Sequence, residues 1–168
     1  KVKERTKALK ENLRLVKHLR AIDDAMLSSI GEAVVAADSK GRISFTNEAF
    51  EELFGLRHED VANKKIQSIL KPHDRNGVPD KDFFEKTYNK LKTAWSGVLY
   101  LRDSHDELFP AHVSVALVTL NEKIIGHVLV MRDITEEKEI EAAKTEFVSI
   151  ASHQLRTPLT NIKLYTEL

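Results

Sequence analysis

Seven histidines and no cysteine set the range of side-chain chemistry open to this sequence. Without a thiol, disulfides, thiolate zinc sites, iron–sulfur clusters, c-type haem attachment and cysteine nucleophiles or photoadducts are excluded together. No histidine spacing resembles a metal pair such as His-x3-His or His-Glu-x2-His, so no metal site is expected. His18, His58, His73, His105, His112 and His127 read as surface or partly buried imidazoles. His153 differs in its setting. It lies in the run from Phe147 to Thr160, a helical pattern with Pro158 inside it. A helical proline costs about 3 kcal/mol and removes one amide, here the one that would bond the carbonyl of Gln154, next to His153. With Ile140, Phe147 and Gln154 in one heptad position, His153 falls just before the seam, held by a helix yet reachable from solvent. A neutral imidazole there is a competent nucleophile near pH 7. On spacing alone, a kinked helix with a surface histidine accounts for the same residues.

The elements that would position this imidazole follow from composition and period. The 168 residues are 42% hydrophobic and 31% charged, the profile of a folded chain of one globular domain plus extra helix. Lys+Arg and Asp+Glu number 26 each, so no global pull toward nucleic acid or an anionic membrane is expected. No run approaches the ~20 apolar residues of a membrane span; the best, Ile124 to Met131, is broken by Gly126 and His127. The start without Met and the stop at Leu168 inside a helical pattern suggest a fragment of something longer.

Three segments emerge. Residues 1–30 contain no Gly or Pro, and Leu9, Leu13, Val16 are followed by Leu15, Leu19, Ile22, Met26, an amphipathic or coiled-coil helix. Residues 31–134 change to strands and turns. Ala33 to Ala37 and Ile43 to Phe45 flank the turn chemistry of Asp38-Ser39-Lys40-Gly41 and predict a hairpin. A helix from about Asn47 to Phe54, a loop over Lys71 to Asp80, and a helix striped by Phe84, Tyr88, Leu91 and Trp95 come next. Val98 to Arg102, Leu108 to Leu120 and Lys123 to Arg132 then predict three strands. A tight turn at Asn121-Glu122 would set Val113 opposite Val130 and Val115 opposite Val128 on the core face. The other face would carry His112, Ala116, Val118, Ile125, Leu129 and Met131, apolar enough to need a cover, the N-terminal helix or a second subunit.

Residues 135–168 return to helix. Ile140, Ala143, Phe147, Ile150, Gln154, Thr157, Asn161, Leu164 and Leu168 step by three and four, with Val148, Ala151, Leu155, Leu159 and Ile162 as a second stripe beside them. Two stripes give the wide apolar face of a four-helix bundle, whose other helices would come from outside this chain and from a second subunit. The order is therefore two strands, helices and three strands, an α+β arrangement preceded by a coiled-coil helix and followed by the first helix of a dimeric bundle.

The segment SHQLRTPLT, with the preceding FVSIA, resembles the phosphoacceptor histidine box of the dimerisation and phosphotransfer domain of sensor histidine kinases. The middle segment, with GEAVVAADSKGRISFTNEAFEELFG at its start and IIGHVLVMRDIT at its end, is similar to a PAS domain, which implies a five-stranded antiparallel sheet with flanking helices. The resemblance implies that His153 takes the γ-phosphoryl of ATP and passes it to an aspartate of a response regulator. It also implies a homodimer, and an ATP- and Mg²⁺-binding catalytic domain elsewhere in the parent chain, since no Gly-rich loop and none of the family's asparagine and glycine boxes occur here. The fragment alone should then not phosphorylate itself. A cytoplasmic setting is expected, with a membrane anchor upstream of residue 1 left open.

One departure concerns rate. After the histidine the family usually has Glu or Asp, which can accept a proton from the other ring nitrogen; here Gln154 can orient the ring but cannot take its proton. Thr157 matches the position at which the family holds the water that attacks the phosphorylated partner. Arg156 reads equally as a phosphate-facing cation or a solvated helix charge. The ligand of the sensor segment is unknown: the cysteine of photoactive versions is absent, the helix of Phe84 and Tyr88 has no haem histidine, and Phe45, Phe54, Phe84, Tyr88 and Trp95 could simply fill a core. The alternative function is a PAS dimerisation or ligand-binding module with no chemistry of its own.

Overall fold

The computed structural model describes residues 31–166, with side chains described except at 86–87 and 156–166. The helix expected over residues 1–30 and His18 lie outside the described residues. Two compact units divide between Asp133 and Ile134.

The first unit is a five-stranded antiparallel sheet in the order β2-β1-β5-β4-β3, with β1 Ala33–Asp38, β2 Ile43–Thr46, β3 Trp95–Arg102, β4 Leu108–Leu120 and β5 Lys123–Asp133. Between β2 and β3 run three short helices, α1 Glu48–Phe54, α2 His58–Val61 and α3 Ile66–Ile69, then a π turn over Phe83–Thr87 and a 3-10 turn over Tyr88–Lys90. Together they cover one sheet face. The core there joins Val35, Ile43, Leu99, Leu101, Ala111, Val113, Val115, Leu129 and Met131 from the strands to Phe50, Val61, Ile66, Phe83, Phe84 and Tyr88 from the helical side.

Asn47 fastens these layers. Its Oδ1 accepts hydrogen bonds from the amides of Phe50 at 3.0 Å, capping α1, and of Val34 at 2.8 Å on β1, while Nδ2 donates to the Glu32 carbonyl at 2.9 Å. The side chain is buried, so truncation would strand these groups away from water. Asn47→Ala is expected to cost roughly 2–4 kcal/mol, seen as a lower urea midpoint with an unchanged slope. A loss below about 0.5 kcal/mol would mean that water replaces the amide.

Three turns share one construction. Asp38, Asp74 and Asp103 each accept, through Oδ1, the amides two and four residues on, at 2.8–2.9 Å. In each, the residue three positions on, Gly41, Gly77 or Asp106, takes a positive φ of 74°, 79° or 64°. Amide donation from Arg42, and then from Lys40, holds the Asp38 carboxyl below the usual carboxylate range. Two of these turns are the β1–β2 and β3–β4 hairpins, so short-range aspartate chemistry sets how adjacent strands meet.

The β4–β5 hairpin corrects the expected register. The turn is where the sequence puts it, with Asn121 and Glu122 at φ 49° and 63° and Leu120 opposite Lys123. Past Thr119 and Ile124 the register slips by one residue, so that Val118 meets Gly126. Val113 therefore faces Met131, and Val115 faces Leu129, both on the core side, whereas Val130 and Val128 pair with Ser114 and Ala116 on the outer face. A one-residue bulge reverses every side chain beyond it. Ile125 is the extra residue, and Gly126 next to it lies so close to β1 that a Cβ there would stand 2.4 Å from the Ala37 carbonyl oxygen. The outer face keeps exposed Val98, Val118, Leu120 and Ile125, so its apolar character persists even though Leu129 and Met131 are buried.

The helix expected through Phe84, Tyr88, Leu91 and Trp95 is also corrected. It ends by Lys90, and Trp95 opens β3, where Trp95, Leu99 and Leu101 alternate onto the core face. The wider π turn lets the consecutive Phe83 and Phe84 both bury, which a regular α-helix stripe would not. Phe45 lies half-buried outside the core cluster; Phe50, Phe83 and Phe109 fill it instead.

Candidate functional site

The second unit is the helix α4, Thr135–Thr166, which begins one residue after β5 ends and runs without a break past Pro158. Glu136 and Glu137 stand in its first turn, where the helix dipole favours negative charge. The Lys138 amide donates to the Ile134 carbonyl at 3.0 Å, so helical bonding starts at the residue joining strand to helix. Lys138 Nζ meets Glu141 Oε2 at 3.0 Å, and Thr145 Oγ1 donates to the Glu141 carbonyl at 2.8 Å. These bonds are local to the first turns.

Along the rest of the described side chains the helix exposes its apolar stripes. Phe147 is 72% exposed and Leu155 63%, with Ile140, Val148 and Ile150 also open to solvent. A soluble single helix does not keep such a row bare, and the row marks a packing face. His153 and Gln154 are both exposed, the histidine one position before the seam, so its imidazole can be approached by another protein while the seam is packed. Gln154 sits on the same turn. Thr157 and Arg156 lie on the next turn of the backbone, and their side chains are outside the described residues.

Among the described residues no group of three or more His, Asp or Glu could hold a metal ion. No helix among them is long and apolar enough to cross a membrane.

The other described histidines fall in the first unit. His58 Nδ1 lies 3.1 Å from Thr46 Oγ1, His112 Nε2 lies 3.0 Å from Ser96 Oγ, and His105 flanks Asp103 in its turn. His127 departs from the expectation of a surface or partly buried ring: it is buried beside Tyr88, on the strand beyond the register slip at Ile125. A cavity of about 400 Å³ is lined by residues including Leu70, His73, Asp80, Lys81 and Phe84.

Residues 31–136 match the PAS domain family, and residues 143–168 match the His Kinase A (phospho-acceptor) domain. Among curated proteins, the sensor protein kinase WalK of Staphylococcus aureus (strain Newman) is 27% identical over 146 residues, and that of Staphylococcus haemolyticus (strain JCSC1435) 26% over 145. Each match takes in 86% of this chain and 22% of the relative, so the chain spans about a fifth of these proteins' length. Among solved structures, the PAS domain of an HTR-like protein from Haloarcula marismortui aligns with a TM-score of 0.57 at 13% identity, covering 74% of this chain and 99% of that one. At that identity the likeness concerns the fold.

Proposed function

The chain belongs to the PAS domain family and carries the start of a His Kinase A domain, and from this we propose that it is the sensing and phosphoacceptor portion of a two-component kinase, with His153 as the residue phosphorylated. The supporting observation is the exposed imidazole of His153 on a helix whose apolar face stands open beside it and whose start adjoins the last PAS strand.

In this reading two copies of α4 pack through Ile140, Phe147 and Ile150 in a dimeric bundle, and an ATP-binding domain outside this chain presents ATP with Mg²⁺ on its phosphates. A neutral ring nitrogen of His153 attacks the γ-phosphorus in line; the bond from phosphorus to the oxygen of the ADP leaving group breaks as the bond to nitrogen forms. The proton on the other ring nitrogen is then lost. A carboxylate oxygen of a response-regulator aspartate later attacks the phosphorus as the bond to the ring nitrogen breaks, and the ring regains a proton from water, which returns His153 to neutral imidazole. Thr157 is assigned to positioning water for removal of phosphate from the regulator. Mixing the chain with a separately supplied catalytic domain and γ-labelled ATP tests the reading: acid-labile, base-stable label on this chain supports it, and absence of label contradicts it.

Gln154 sets the rate in this scheme. An amide orients the ring, whereas a carboxylate would also stabilise the positive charge that grows on it during attack. Gln154→Glu is expected to raise the phosphorylation rate a few-fold to roughly tenfold with no change in the ATP concentration for half-maximal rate. An unchanged or slower rate would make proton acceptance irrelevant to the limiting step.

A ligand-binding reading of the PAS unit has one observation in its favour, the cavity of about 400 Å³ beside Leu70 and Phe84. It is compatible with the phosphoacceptor role, and an absorbance spectrum of the purified chain would reveal a coloured ligand.

A further inference from the structure

Among the described residues three buried side-chain polar atoms have no hydrogen-bond partner, His73 Nδ1, the Tyr88 hydroxyl and His127 Nδ1, and the last two belong to buried residues whose rings adjoin. Both side chains are more than nine-tenths buried, and their rings meet at 4.7 Å between centroids with a 41° tilt. Tyr88 belongs to the turn segment that crosses the sheet face, and His127 to the central strand β5, so this contact clamps the two layers. Buried polar atoms without partners are costly, and a fold that keeps two of them in contact has placed a weak point where the layers join.

We propose that His127 and Tyr88 form a proton-sensitive latch, closed while the imidazole is neutral and loosened when it is protonated, which releases the Phe83–Lys90 segment from the sheet. The latch concerns the packing of the PAS unit itself and stands whether or not His153 is phosphorylated.

The surroundings give the charged ring little support. On β4 its cross-strand partner is Leu117, and on β1 it is Ala37. Asp38 on β1 is the charged group beside the pair; its Oδ1 accepts the Lys40 and Arg42 amides, and it supports His127 through its backbone. From the turn segment comes Tyr88, whose burial, with Asp38 adding to it, pushes the phenol up to about 12, so it stays neutral. A second proton on His127 would make Nδ1 a donor with no acceptor, and the tilted ring of Tyr88 presents edge as much as face to the cation. Burial, the largest influence, lowers the proton affinity of His127 below the ordinary imidazole value, against a smaller opposing effect of the Asp38 backbone. Below a pH of about 6.5 the unfolded or opened ring therefore binds more protons than the closed one, and the closed state loses stability as pH falls toward the lowered folded-state value.

Trp95, the single tryptophan of the chain, lies 5.2 Å from the Phe83 ring and reports on the segment. In the full chain, its emission is expected to shift to the red as pH is lowered from about 7.5 to about 5, with the His127 ring resonances titrating below the ordinary imidazole midpoint. His127→Leu and His127→Gln should each hold the pH 7 emission throughout, whereas Tyr88→Phe, which keeps the ring and the histidine, should retain the shift. A flat wild-type response, the same shift in both His127 variants, or a His127 midpoint at or above the ordinary value would overturn the latch.

Discussion

Replacing His153 with alanine should reduce label transferred from γ-labelled ATP to background, a loss of roughly a hundredfold or more, because no other group supplies the nucleophile in the proposed scheme. The same change should move thermal stability by no more than about 0.5 kcal/mol. His153 is exposed, so truncation leaves no cavity and strands no buried partner. This contrast separates loss of chemistry from loss of structure, and circular dichroism of the same samples supplies the control. Labelling of the variant at the wild-type level would assign the phosphoryl group to another side chain. Gln154 could not substitute, since an amide nitrogen has its lone pair delocalised into the carbonyl and is a poor nucleophile.

A second large effect is expected at the junction between the PAS unit and α4. The last strand ends at Asp133 and the helix begins at Thr135, with helical bonding already made from Lys138 to Ile134. A junction one residue long has little slack, so a change in β5 would pass into the helix rather than dissipate in a loop. Inserting one residue between Glu137 and Ile140 turns everything downstream by about 100° and rotates Phe147 and Ile150 off the seam, whereas inserting seven restores the phase to within about 20°. In the full-length parent protein, basal activity and response to signal should follow the heptad remainder of the insertion rather than its length. A one-residue insertion is expected to lose roughly tenfold or more of the signal-dependent change, and a seven-residue insertion to keep most of it. Equal behaviour of the two insertions would contradict coupling through a continuous helix.

Much of this architecture was legible because it is written locally. The first hairpin follows from the turn residues Asp38 to Gly41, the last from the tight turn at Asn121-Glu122, and the long helix from unbroken steps of three and four. His153 stood out through its heptad phase and the proline five residues on, and the phosphoacceptor role proposed for it comes from resemblance. The failures share a cause, which is that they depend on what approaches from elsewhere in the fold. The register of β4 and β5 turned on a bulge at Ile125, beside a glycine, Gly126, that the Ala37 carbonyl on β1, far away in sequence, leaves no room to replace. That single slip hid Leu129 and Met131 from the expected core and His127 from attention, since a histidine one position out of phase looks like a surface residue. The stripe to Trp95 failed because four-three-four spacing fits a helix and does not reveal where it stops; the π turn burying Phe83 with Phe84 has no simple periodic signature.

The central claim, that His153 is the group phosphorylated, is tested most directly by locating the phosphate itself. The wild-type chain would be labelled by an added catalytic domain, digested at neutral to mildly basic pH to preserve phosphoramidates, and its peptides sequenced by mass spectrometry. The account predicts a single phosphate, labile to acid and stable to base, in the peptide spanning Phe147 to Arg156 and assigned by fragmentation to His153. Acid-stable phosphate on Ser149, Ser152 or Thr157, or acid-labile phosphate on another histidine, would contradict it.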